Sequence, residues 1–200
     1  MRTNSYLALG DSYTIGESVL LNQNFPYQLV QLLRQEGLHF SAPEIIAKTG
    51  WTTDELLAAI EGYLFSPPYD IVTLLIGVNN QYRGRLIEEY TNDLEKLIEK
   101  SIALASKKSH VFLISIPDYG VTPFAKDKDP ELIAKEIDIF NGIGKALSVQ
   151  YKIHYIDISE AWRATAKDTN LIAEDGLHPS AIAYAQWTVK IAETIRELLK

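Results

Sequence analysis

Short apolar runs alternate along the chain with longer stretches in which apolar residues recur at helical spacing. That alternation predicts βαβ units around a parallel sheet rather than separate layers of strands and helices. Tyr6-Leu7-Ala8-Leu9 reads as a first strand stopped by Gly10. A helix is expected over 25–35, where Leu29, Leu32 and Leu33 share a face and Gly37 offers a C-terminal stop. Glu44 to Ala47 reads as a short second strand. Thr52-Thr53-Asp54-Glu55 carries a capping signature ahead of Leu56, Leu57 and Ile60, in a helix expected to end near Leu64, before Pro67-Pro68. Ile71-Val72-Thr73-Leu74-Leu75-Ile76 is β-branched and apolar almost without interruption, the pattern of a central strand buried on both faces.

Leu86 to Ala105 follows as a long helix with Leu94, Leu97, Ile98 and Ile102 inward, and Val111 to Ile116 is a fourth strand ended by Pro117. The stretch from Pro117 to Pro130 is rich in Pro, Gly and Asp and longer than most helix–strand connections. It holds Tyr119 and Phe124, so it either overhangs a site or is a plain solvated loop. A helix over 131–149, a last strand over 153–158 and a closing helix over 180–199 complete the pattern, without repeat, low-complexity tract or linker. The fold class is therefore α/β: a three-layer α/β/α arrangement with a flavodoxin-like five-stranded parallel sheet and helices on both faces, in one domain spanning residues 1–200. In such sheets, chemistry gathers at the carboxyl ends of the strands.

Composition narrows the function classes. Of the 200 residues, 46% are hydrophobic and 22% charged, enough for a single domain that buries most of its unfolded surface. The 26 acidic and 19 basic side chains leave a formal charge of −7 with no run of Lys or Arg, which argues against nucleic acid as a partner and against a polybasic membrane anchor. Without a single cysteine, disulfides, thiolate metal sites and a cysteine nucleophile are excluded. No apolar run is long enough to span a bilayer, and Met1 to Gly10 lacks the features of an export signal. The expected location is cytoplasmic, although trimming of a leader would leave the same sequence. Oligomeric state is not legible, and Trp51, Trp162 and Trp187 read as packing residues.

Four polar blocks fall after predicted strands: Gly10-Asp11-Ser12-Tyr13, Thr49-Gly50-Trp51-Thr52, Gly77-Val78-Asn79-Asn80 and Asp175-Gly176-Leu177-His178-Pro179. Acyl transfer needs a hydroxyl nucleophile, an imidazole to take its proton, a carboxylate to hold the imidazole's tautomer, and donors aimed at a developing oxyanion. Ser12 is the nucleophile candidate, because Gly10 and Gly16 permit a tight strand-to-helix turn, although a serine after a strand is ordinarily an N-cap. His178 is the base candidate, with Asp175 three residues earlier and Pro179 to fix the start of the last helix; His110 and His154 lie at or in predicted strands and His39 in a polar segment near the second strand. Gly50 can offer a backbone N–H and Asn79 a side-chain amide, yet either alone reads equally as a turn glycine or a left-handed loop asparagine.

Together these blocks resemble the SGNH hydrolase superfamily, the GDSL esterases and lipases. The resemblance implies Ser12 as nucleophile, Asp175 and His178 as the rest of the triad, and Ser12, Gly50 and Asn79 as the oxyanion hole. It further implies hydrolysis of a small-molecule ester through an acyl-enzyme, with no metal or organic cofactor. Two departures stand out: Asn80 occupies a position where the family usually has Asp, which puts a supporting hydrogen bond in doubt, and Tyr13 stands where Leu often follows the serine. With no long apolar insertion, short-acyl or acetyl esters are the expected substrates. The alternatives are an acyltransferase using the same triad, a lipase or thioesterase for longer chains, and a non-catalytic binding module. Tyr13, Tyr82, Tyr119 and Phe124, with Arg83 and Arg85, are the substrate-pocket candidates.

Overall fold

The apolar runs become five strands: β1 (Tyr6–Gly10), β2 (Glu44–Ala47), β3 (Ile71–Leu75), β4 (Val111–Ile114) and β5 (His154–Ile156). A computed structural model describes residues 3–164 and 168–199, so the first two residues of the Met1–Gly10 stretch lie outside the described residues. All four strand pairings are parallel, in the order β2-β1-β3-β4-β5. Every residue of β1, β3 and β4 is buried, which is why these strands carry apolar side chains on both faces instead of alternating. Strand order reverses between β1 and β3, so a crevice opens where the loops leaving their carboxyl ends diverge.

Among the described residues, eight α-helices accompany the sheet: α1 (Ser12–Ile15), α2 (Phe25–Gln35), α3 (Thr53–Glu61), α4 (Val78–Tyr82), α5 (Ile87–Leu104), α6 (Pro130–Tyr151), α7 (Ser159–Ala164) and α8 (Ala181–Leu199). On one face α2 packs against α8, and on the other α5 packs between α3 and α6. Asn24 starts α2 by accepting from the Tyr27 N–H (2.9 Å), and the predicted capping box at Thr52 and Glu55 starts α3. Trp162 and Trp187 meet edge to face in the core at 5.7 Å, while Trp51 is only half-buried. His110 is buried with its ring 3.1 Å from the Ser106 hydroxyl, and His154 stacks on Phe112. Among the described residues, no helix is long and apolar enough to cross a membrane.

Some boundaries differ from the sequence reading for identifiable reasons. Helix α3 stops at Glu61 instead of Leu64 because Gly62 takes its C-cap. Strand β5 ends at Ile156 instead of Ile158: the Ser115 hydroxyl accepts from the N–H groups of Ile158 (2.8 Å) and Ser159 (3.2 Å), so a side chain replaces the strand ladder there. Helices α1, α4 and α7 were not anticipated, since four to six residues are too few to show a helical period.

Candidate active site

Directly after β1, the chain must turn into a helix within two residues. Gly10 makes this possible, since a Cβ there would collide with the Thr14 side chain and the Leu75 carbonyl. Asp11 is the N-cap of α1, its Oδ1 accepting from the Tyr13 N–H at 3.0 Å, so Ser12 becomes the first helical residue and its hydroxyl is not spent on capping. Ser12 is 4% exposed, and among the described residues neither its hydroxyl nor its N–H has a hydrogen-bond partner. Serine–base contacts are commonly long until substrate is in place. Asp11 lies fully buried with Oδ2 unpartnered, and burial pushes its carboxyl up to about 7.

At the end of β3, Gly77 takes φ 128, and α4 follows at once with Asn79 as its second residue. Asn79 is thus helical, not the left-handed loop asparagine it could have been. Its Nδ2 donates to the Trp51 carbonyl at 3.0 Å, which holds the amide beside the Gly50 turn. Gly50 takes φ 86 and accepts from Arg83 Nη2 at 2.5 Å through its carbonyl; no hydrogen bond among the described residues occupies its N–H. Asn80 is buried, its Oδ1 accepting from the Thr53 N–H (3.0 Å) and its Nδ2 donating to the Thr53 hydroxyl (2.8 Å). These two bonds pin the start of α3, immediately after the Gly50 turn.

The third component comes from a loop closed by an antiparallel bridge between Ile172 and Pro179. Asp175 Oδ1 accepts from the N–H groups of Leu177 (2.9 Å) and His178 (3.0 Å), and Oδ2 lies 2.6 Å from His178 Nδ1 and 2.7 Å from the Ser18 hydroxyl. Burial opposes the charge, but these hydrogen bonds outweigh it and hold the Asp175 carboxyl at about 2. An ionised carboxylate can only accept, so Nδ1 donates to it, which leaves Nε2 as the ring nitrogen not engaged by Asp175. The Tyr13 ring packs against His178 at 5.0 Å. Burial first, then the Asp11 and Asp175 carboxylates, push its phenol well above the ordinary range.

Ser12, Asn79 and His178 face one cleft of about 80 Å³, whose walls are Tyr13, Val78, Leu177 and three further rings. Those rings are Tyr82, Tyr119 and Phe124, with centroids 5.7 to 6.3 Å apart. Tyr119 is buried, whereas Tyr82 (47%) and Phe124 (41%) remain exposed at the rim beneath the Lys128 ammonium, 5.0 Å from the Tyr82 ring. The Pro117–Pro130 stretch thus overhangs the site. It folds into two tight turns, Tyr119–Val121 and Pro123–Ala125, anchored by Arg163 Nε on Asp118 Oδ2 (2.6 Å) and by the Phe124 N–H on the Gly176 carbonyl (2.9 Å).

Of the residues expected from sequence, Gly50 lies beside the cleft without lining it, and Arg83 and Arg85 are not part of its wall. Arg83 instead pairs with Glu55 and Arg85 with Asp54. Ser18, the buried Asp11 and Lys128 went unnoticed in the sequence. Only the place of Asp11 inside the Gly-Asp-Ser block could have drawn attention to it. Among the described residues, no three His, Asp or Glu side chains gather into a metal-binding group. The cleft thus holds an uncommitted hydroxyl and an imidazole hydrogen-bonded to a carboxylate.

The sequence model of the GDSL-like Lipase/Acylhydrolase family matches residues 8–186 of the chain. No curated protein matches it. The fold is similar to that of TesA, at 20% identity over 98% of this chain and 99% of that one, with a TM-score of 0.78. The psychrotrophic esterase EstA from Pseudoalteromonas sp. is similar at 18% identity, 98% of each chain and a TM-score of 0.75. Axe2, an acetylxylan esterase from Geobacillus stearothermophilus, is similar at 20% identity, 98% and 95% coverage and a TM-score of 0.72. At such identities the likeness is one of fold.

Proposed function

The chain belongs to the GDSL-like lipase/acylhydrolase family and is a carboxylic ester hydrolase, and from that premise we propose that it cleaves short-acyl esters through Ser12, His178 and Asp175. His178 Nε2 takes the Ser12 proton as Oγ attacks the ester carbonyl carbon. The tetrahedral oxyanion is met by the N–H groups of Ser12 and Gly50 and by the Asn79 amide. As the oxyanion collapses, the bond to the alcohol breaks and the alcohol leaves with the proton from His178. Water then repeats the sequence on the acyl-enzyme, releasing the acid and restoring Ser12.

The observation that carries this reading is the 2.6 Å contact between Asp175 Oδ2 and His178 Nδ1, in a cleft that His178 shares with Ser12. The short-acyl preference is supported by the size of the cleft, about 80 Å³, well below the range of about 300–1,000 Å³ usual for small-molecule sites. Its outer side is lined by the ring cluster of Tyr82, Tyr119 and Phe124.

Hydrolysis of p-nitrophenyl esters from acetate through octanoate to palmitate, by the wild type and a folded Ser12→Ala variant, tests the proposal. Rates should fall with chain length and vanish in Ser12→Ala. A maximum at long chains would overturn the short-acyl assignment, and activity surviving in Ser12→Ala would overturn the nucleophile.

A further inference from the structure

The chain leaving α1 doubles back at once, the N–H groups of Gly16 and Glu17 both donating to the Ser12 carbonyl at 3.0 Å. One residue later, Ser18 sits at φ 65, a left-handed backbone that side chains rarely adopt; among the described non-glycine residues, only Lys152 shares it. Ser18 is exposed, so packing does not repay that conformation. What the conformation does achieve is a hydrogen bond: the Ser18 hydroxyl donates at 2.7 Å to Asp175 Oδ2, the same oxygen that receives His178 Nδ1. Strain held in place by one polar contact at a site points to function rather than to folding.

The contacts of Asp175 divide into two kinds. Those to the N–H groups of Leu177 and His178 come from its own loop and fix Oδ1 within that loop. Among the described residues, the Ser18 hydroxyl is the one hydrogen-bond donor that reaches this carboxylate from another part of the chain, 157 residues away. It arrives from the segment that also clasps the Ser12 carbonyl. Next to it, the Glu17 carboxylate accepts from the Thr49 hydroxyl, beside Gly50. Three consecutive residues, Gly16, Glu17 and Ser18, thereby bond to the Ser12 turn, the Gly50 turn and the Asp175 loop.

We propose that Ser18 is a positioning residue for the hydrolysis: from its left-handed turn just downstream of Ser12, it orients the Asp175 carboxylate and, through it, the His178 ring. The proposal rests on reading Ser12, His178 and Asp175 as the triad. Loss of the donor leaves Asp175 hydrogen-bonded only within its own loop, so its placement relative to Ser12 is no longer set.

Two variants separate this role from a structural one. Ser18→Ala and Ser18→Gly both delete the hydroxyl, but glycine suits the left-handed backbone and alanine does not. Both should lose roughly tenfold in kcat with KM little changed, as removal of a hydrogen bond to a charged group predicts, while Tm is higher for Ser18→Gly than for Ser18→Ala. Ser18→Asn keeps a donor and tolerates the backbone, and should recover most of kcat. In an Asp175→Asn background, Ser18→Ala should cost little further. Unchanged kcat in both Ser18→Ala and Ser18→Gly, or activity that simply follows Tm across the variants, would overturn the proposal. If Asp175→Asn itself keeps full activity, the triad reading fails and takes this proposal with it; if Asp175→Asn is inactive and the Ser18 variants are not, this proposal fails alone.

Discussion

Ser12 and Asn79 follow the ends of β1 and β3, strands without one exposed residue, through links of one and two residues into single-turn helices. Asp175 and His178 instead sit in a loop well past β5 along the chain, held by the Ile172–Pro179 bridge, the Phe124 N–H on Gly176 and the Ser18 hydroxyl on Asp175. Buried backbone therefore places Ser12 and Asn79, while His178 is placed by individual hydrogen bonds, some of which originate elsewhere in the chain. The first kind of placement survives most single changes. The second can be lost one contact at a time.

The sharpest way to break the loop side is Asp175→Asn, which leaves the cleft's shape intact but removes the charge that fixes His178's tautomer. It should lower kcat by about 10³- to 10⁴-fold with a normal circular-dichroism spectrum. Less severe is the corresponding change on the strand side: Asn79→Ala removes one oxyanion donor and should cost about 10²- to 10³-fold in kcat without loss of fold. Full activity in Asn79→Ala would reassign the donor.

The smallest effect concerns stability, and there the two sides differ in sign. Asp175 is held at about 2 against an ordinary 3.8, so the stability it contributes is present above the ordinary value and lost as pH falls toward the lower one. Burial raises Asp11 from 3.8 to about 7, so the folded chain retains a proton that the unfolded chain has released. Its stabilising contribution is present in acid and is lost as pH rises between those two values. Asp11→Asn keeps the Oδ1 cap and should flatten that decline. Thermal melts of the two proteins should differ more at about pH 8 than at about pH 4, with the variant the more stable at the higher pH.

The same contrast explains what could be read from sequence. The five strands, the principal helices and the order of the blocks follow from hydrophobic periodicity and local turn chemistry, both properties of adjacent residues. The contact between Asp175 and His178 was legible because the two lie three positions apart. The contact from Ser18 was not, because it joins residues 157 apart through a backbone angle that no pattern of serine announces. Asn80 looked like a weakened position in sequence, and only the Thr53 backbone and hydroxyl, folded against it, show an amide serving as both donor and acceptor. Arg83 and Arg85 misled for the opposite reason: proximity in sequence to Asn79 did not bring them to the cleft, since Glu55 and Asp54 of α3 had claimed them.

The central claim is that Ser12 is a nucleophile activated by His178, and covalent labelling tests it most directly. The protein would be treated with a fluorophosphonate probe, the adduct weighed by intact-mass spectrometry and its position mapped on peptides. A single adduct on Ser12, formed far more slowly in His178→Ala, is the predicted result. An unmodified wild type, an adduct on another residue, or labelling of Ser12 at the same rate without His178 would contradict it.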